Sequence, residues 1–259
     1  MDKGLKEYEQ HYNQSKELNK LSLFSESINE LNLAIEIAKK NNWEQKYLDA
    51  SVTLGEMMRR TGDHNTGVEI LEKLTNSIKY PKIHVRKLGR MAALYAEGGV
   101  GFRENQDVEL VRFLNEGLEI AKKNKLEEEE ASLSNELGHH LMVAGEIDES
   151  YIYLRRSAQL YDTLKDTNNY VNVMCHIMHI ESLNKNYKKV DSIANQQLKL
   201  IKGHSWHGTE QTLYRTLHNR YSAVGDTLTS LRWWIKMQQA ATELLKVRND
   251  HKMAFYRVA

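Results

Sequence analysis

The chain has 259 residues, with 36 Lys and Arg against 35 Asp and Glu, a formal net charge of +1, one Cys and one Pro. An apolar content of 41% excludes disorder, no unbroken apolar run approaches the ~18 residues of a membrane span, and one Cys permits neither an internal disulfide nor a multi-thiolate metal cage. The balanced charge gives no general pull toward nucleic acid or acidic lipid, and one Pro with 14 Gly reads as long helices joined by short turns.

The opening residues Met1 to Tyr8 contain no apolar stretch of the signal-peptide kind, so a cytoplasmic location is expected. A first helical repeat near 5–40 closes on Lys39-Lys40, cations that suit a helix C-terminus. The second, near 44–79, carries Leu54-Gly55, then a Gly62-Asp63 turn, then helical spacing from Val68 through Ile70 and Leu71 to Leu74. The third, near 81–124, opens at Pro81, which a first helical turn tolerates, and runs through Leu88, Ala92 and Tyr95. Its run Gly98-Gly99-Val100-Gly101 lacks the preceding strand and the glycine pattern of a phosphate loop and reads as a long turn. The fourth, near 127–165, starts with Glu127 to Glu130 at the positive end of a helix and turns at Gly145-Glu146. The fifth, near 168–203, holds Cys175, His176 and His179; the sixth, near 207–240, holds His218 and a Gly225-Asp226 turn. Residues 241–259 place Ala241, Leu244, Leu245, Val247, Met253 and Phe255 on a C-terminal helix that either caps the array or leads onward.

These segments are copies of one pattern. Glu36 to Asn41 recurs identically as Glu119 to Asn124, an offset of 83 residues that also aligns Leu54-Gly55 with Leu137-Gly138 and Gly62 with Gly145. A small or aliphatic residue followed four positions later by an apolar one recurs as Ser27/Leu31, Gly67/Leu71, Leu110/Leu114, Ser150/Leu154, Val190/Ala194 and Ser230/Trp234. The first members are spaced 40, 43, 40, 40 and 40 residues apart. Five positions before each lie Ser22, Gly62, Asn105, Gly145, Lys185 and Gly225. A glycine there ends one helix in the left-handed conformation, and a following acid can accept the free N–H groups of the next.

The order Leu54-Gly55, Gly62, Gly67, Leu71, Leu74, and its counterpart Leu137-Gly138, Leu141, Gly145, Ser150, Leu154, Ser157, resembles a tetratricopeptide repeat (TPR). The period near 40 is longer than the usual ~34 and resembles TPR variants of signalling scaffolds and of bacterial regulators that read peptides. The resemblance implies an all-α solenoid over 1–240, a right-handed superhelix of six antiparallel helix pairs with a concave groove, followed by the helix at 241–259. It also implies a protein or peptide segment as partner, with no cofactor and no enzymatic activity. The alternative is a sensor or regulatory segment of a larger bacterial signalling protein, such as a histidine kinase or transcription regulator. The sequence sets no oligomeric state.

The residue after the helix-packing position of the first helix is Glu56, His139, His179 and Asn219 in repeats two, four, five and six. Four positions earlier lie Val52, Asn135, Cys175 and Arg215. Stacked helices would align these into a polar ladder, and the resemblance places this helix face in the groove. The expected groove set is therefore Glu56, Arg59, Asn135, His139, His179, Arg215 and Asn219. Arg59-Arg60, Arg86-Lys87 and Arg90 form a basic cluster expected to pair with nearby carboxylates. Trp234 falls on the core register and Trp233 one step off it. No HExxH, paired CxxC or GxSxG pattern occurs, and Cys175 lies in mid-helix, away from anything that would activate it.

Overall fold

The computed structural model describes residues 3–21, 23–97 and 106–258. Ser22, Asn105 and the glycine run 98–101 lie outside the described residues, as do the side chains of Met253 and Phe255. Among the described residues the chain is all α, and its helices fall into consecutive pairs. These are α1 (Lys3–Lys20) with α2 (Phe24–Lys40), α3 (Glu44–Thr61) with α4 (His64–Glu72), and α5 (Pro81–Ala96) with α6 (Gln106–Lys123). Then come α7 (Glu127–Ala144) with α8 (Ile147–Thr163), α9 (Thr167–Leu183) with α10 (Tyr187–Ile201), and α11 (His207–Ala223) with α12 (Thr227–Val258). No helix among the described residues is long and apolar enough to cross a membrane.

The chain divides into two compact units, an N-terminal half of residues 1–129 that also takes in the end of α12 from Ala254, and a C-terminal half of residues 130–253. In the N-terminal half, Tyr8, Leu31, Ala34, Ala38, Leu54 and Met57 share one core, and α3 touches α5 as well as α4. In the C-terminal half the core is built from Leu154, Leu160, Val171, Ile177, Met178, Val190 and Leu213, and α9 touches α11 as well as α8 and α10. First helices thus stack on first helices, the arrangement of a repeat array in which each unit buries its neighbour's apolar face.

The repeat pattern has a direct packing cause. A Cβ on Gly55 or Gly138 would lie 2.7 Å from the side chain of Leu71 or Leu154, so glycine lets the two helices of a pair close onto the leucine. The small residue four positions before that leucine sits against the same spot. Ser150 Oγ donates to Gly138 O at 2.6 Å, Ser27 Oγ to Ser15 O at 2.8 Å and Ser230 Oγ to His218 O at 3.2 Å. Three hairpins are therefore pinned by one hydroxyl across twelve residues. Leu31, Leu71, Leu114, Leu154 and Ala194 are all buried.

The turns share one closure, in which the N–H just past a left-handed residue reaches back to a carbonyl of the last turn. Asp63 N–H donates to Met58 O, Glu146 N–H to Leu141 O and Asp226 N–H to Tyr221 O. Gly62, Gly145 and Gly225 take positive φ as expected, but so do Asn42, Lys125, Lys165 and Lys185. Asp63 accepts from Thr66 N–H and Asp226 from Thr229 N–H at 3.3 and 3.0 Å, whereas Glu146, one methylene longer, makes no cap bond.

The structure departs from the sequence reading at three places. The helix expected to reach Leu74 stops at Glu72, giving α4 nine residues, and a 3-10 turn comes next at Thr75–Lys79. Thr75, Asn76 and Ser77 compete with the helix for backbone hydrogen bonds, and Ser77 Oγ takes up the Leu74 carbonyl at 2.7 Å. The stretch beyond 240 is no separate helix: α12 runs unbroken through Thr227–Val258. The two tryptophans also exchange roles. Trp234 is 42% exposed, while Trp233 is half-buried and stacks on Tyr214 at 5.7 Å between ring centroids. In the equivalent positions of α4 and α8, Leu71 and Leu154 pack onto Gly55 and Gly138 of their own pairs, whereas α11 carries His218 at that position.

Candidate functional site

In the N-terminal half, α3 and α5 bring Glu56, Arg59, Arg60 and Arg90 together. Glu56 is 6% exposed. Arg59 Nη2 and Nε donate to its two oxygens at 2.9 and 3.0 Å, Arg60 Nε donates at 2.9 Å, and Arg90 Nε stands 3.4 Å away. The carboxylate is desolvated, yet the arginines overcome this and pull its pKa down to about 2. Arg59 also pairs with Glu97, and Arg86 of α5 pairs with Asp49 of α3. The basic cluster thus pairs with carboxylates as its charge balance suggested. Glu56 lies beneath the arginines and holds them; Arg59 is half-buried above it.

In the C-terminal half, α7 presents Asn135 and His139, α9 presents His176 and His179, and α11 presents Arg215 and Asn219. His139, His179, Arg215 and Asn219 are exposed, and Asn135 is half-buried with its Oδ1 shielded and unpaired. Val52 and Cys175, on the same register as Asn135, are buried where neighbouring first helices stack. Burial pushes the Cys175 thiol up to about 12, so it is no nucleophile at neutral pH.

His176, outside the groove set expected from the sequence, adjoins His139. Its ring lies 4.7 Å from that of His139, and only the packing of α9 beside α7 makes them neighbours. Burial, with His139 and His179 adding to it, pushes His176 down to about 4. Folding therefore favours the neutral ring. That stabilisation is complete above the unfolded value near 6.5 and is lost as pH falls toward 4. We expect wild-type protein to lose about 2–3 kcal/mol over this window that a His176→Gln variant retains. Urea midpoints of both proteins at pH 7 and pH 4 measure this, and parallel pH slopes would contradict it.

Two further polar contacts tie α9 to α11: Thr209 Oγ1 donates to Asn168, and Asn172 Nδ2 donates to Thr209 Oγ1 at 3.5 Å. Among the described residues no group of three or more His, Cys, Asp or Glu is placed to hold a metal ion.

No protein-family model matches the chain, and no curated protein matches it significantly. Solved structures do. The apo form of RapI superposes with a TM-score of 0.68 at 12% identity, covering 95% of this chain and 86% of that one. A Rap protein complexed with Competence and Sporulation Factor gives 0.67 at 12% identity, covering 95% and 78%. The Rap conjugation gene regulator of plasmid pLS20, in complex with the Phr* peptide, gives 0.65 at 15% identity, covering 95% of this chain and 65% of that one. At these identities the likeness concerns the fold, which is that of the TPR-like helical repeat proteins.

Proposed function

We propose that the chain is a non-enzymatic scaffold that holds a peptide or protein segment against its first helices. The observation that carries this reading is the exposed polar set at matching registers of α7, α9 and α11: His139, His179 and Asn219, with Arg215 beside them. Such groups can pair with the amides and carboxylates of an extended segment, while the rigid helices supply preorganisation. Asn135 and His176 form the floor, and Arg59 offers a separate cationic contact in the N-terminal half. Two of the similar folds were solved with a bound factor or peptide, which supports a peptide ligand here. The chemistry fits binding better than catalysis, since the Cys175 thiol is buried and Glu56 is saturated by arginines.

The second reading, a regulatory segment of a larger signalling protein, draws support from the similarity to a conjugation gene regulator. An appended kinase or DNA-binding domain in the full gene would favour it. A peptide-library or pull-down screen tests the main reading. His139→Ala, His179→Ala and Asn219→Ala are each expected to weaken a captured partner about tenfold. Unchanged binding by all three variants overturns the assignment of this face.

A further inference from the structure

Helix α12 is apolar on two faces. Inward, Ser230 and Ala240 are buried and Trp233 stacks on Tyr214 of α11. Outward, Leu228, Leu231, Trp234 and Ile235 are between 42% and 63% exposed. Leu228, Leu231 and Ile235, continued by Gln238 and Thr242, follow the alternating three- and four-residue spacing of a helix–helix seam. The repeat pattern does not require this row. At the registers of Leu228 and Ile235, α8 carries Asp148 and Arg155, and α10 carries Lys188 and Asn195.

The register of Leu231 shows what fits the row. Leu231 follows Ser230 as Tyr151 follows Ser150 in α8 and Asp191 follows Val190 in α10. Tyr151 Oη donates to Glu181 of α9 at 2.8 Å, and Asp191 accepts from Tyr221 Oη of α11 at 3.3 Å. At this register a second helix therefore receives the first helix of the following pair. Helix α12 offers a leucine there, between Leu228 and Ile235, so the matching occupant is one more helix, held by apolar contact in place of hydrogen bonds.

Charge narrows the occupant further. From Thr227 to Thr242 the helix carries Arg232 and Lys236 and no carboxylate. Lys236 Nζ lies 4.6 Å from the centroid of the Trp233 ring and makes no ion pair among the described residues. Asp226, which feels the charge of Arg232, is committed to the Thr229 N–H at 3.0 Å. At about 100° per residue, Arg232 and Lys236 fall on one flank of the row and Trp234 on the other.

We propose that this row is the docking seat for an amphipathic helix of a partner chain, apolar where it meets Leu228, Leu231 and Ile235 and acidic along the flank that meets Arg232 and Lys236. The α12 helix of a second copy would bring the same cations and lacks that complementarity. The seat lies on a second helix, so it and the first-helix face proposed above can fail separately.

The test titrates the full chain into two labelled helical peptides of about three heptads, read by fluorescence anisotropy. Both carry Leu and Ile at the seam positions; one is flanked by Glu and the other by Lys, and these like charges keep each peptide from pairing with itself. The acidic peptide is expected to bind saturably and at least about tenfold more tightly than the basic one. Trp234→Ala is expected to weaken it about tenfold. Arg232 and Lys236 are exposed, so Arg232→Glu combined with Lys236→Glu leaves the fold intact and is expected to reverse the preference between the peptides. No saturable binding of the acidic peptide, equal affinity for both, or a preference that survives the charge reversal overturns the proposal. Binding weakened by His139→Ala but not by Trp234→Ala would put the acidic helix on the first-helix face and also overturn it. A dimer in sedimentation velocity that Ile235→Glu disperses would assign the row to a second copy, with the same consequence.

Discussion

Replacing Glu56 with Gln is expected to destabilise the N-terminal half by about 3 kcal/mol at pH 7, because three guanidiniums then share a site with no compensating carboxylate beneath them. The folded pKa near 2 gives the same size from the other direction: two to three pKa units below the unfolded value correspond to about 3 kcal/mol. A carboxylate lowered by folding stabilises above its unfolded pKa, near 4.3, and ceases to do so as pH falls toward 2. Wild type and variant should therefore differ at pH 7 and converge below pH 3. Hydrogen exchange of the α3 and α5 amides measures this locally, which suits an array whose repeats open one at a time. Equal protection of these helices in both proteins at pH 7 would show that the arginines find other partners.

Leu154→Ala and Trp234→Ala should behave oppositely, although the two residues occupy the same repeat position. Leu154 is fully buried against Gly138, and its truncation leaves a cavity costing about 2–5 kcal/mol. Trp234 is 42% exposed, and its truncation should change stability by no more than about 0.5 kcal/mol. Thermal or urea unfolding of the two variants side by side decides the matter. A large loss for Trp234→Ala would mean that its indole is covered in solution.

The repeat itself was legible because its determinants are local. Gly55 and Gly138 must face a leucine at contact distance, and Gly62, Gly145 and Gly225 must turn left-handed, so each leaves a mark in the sequence. The remaining turns were harder to read because Lys125, Lys165 and Lys185 adopt the same conformation without glycine, their closing hydrogen bonds offsetting about 1 kcal/mol of strain each. Other features depend on neighbours distant in sequence. Whether Val52 and Cys175 face the surface is decided by the helix stacked on them, and both are buried. His176 joins His139 only because α7 and α9 pack side by side. The end of α4 was marked by Thr75-Asn76-Ser77, but the apolar spacing through Leu74 masked it.

If the first helices of successive pairs form the binding surface, a bound partner covers them and leaves the second helices as they are. Hydrogen exchange of the chain with and without a captured peptide or protein partner tests this most directly. Added protection is expected in α7, α9 and α11 around His139, His179 and Asn219, with α8 and α10 unchanged. Protection concentrated on α8 and α10 would place the partner on the opposite helices and contradict the claim.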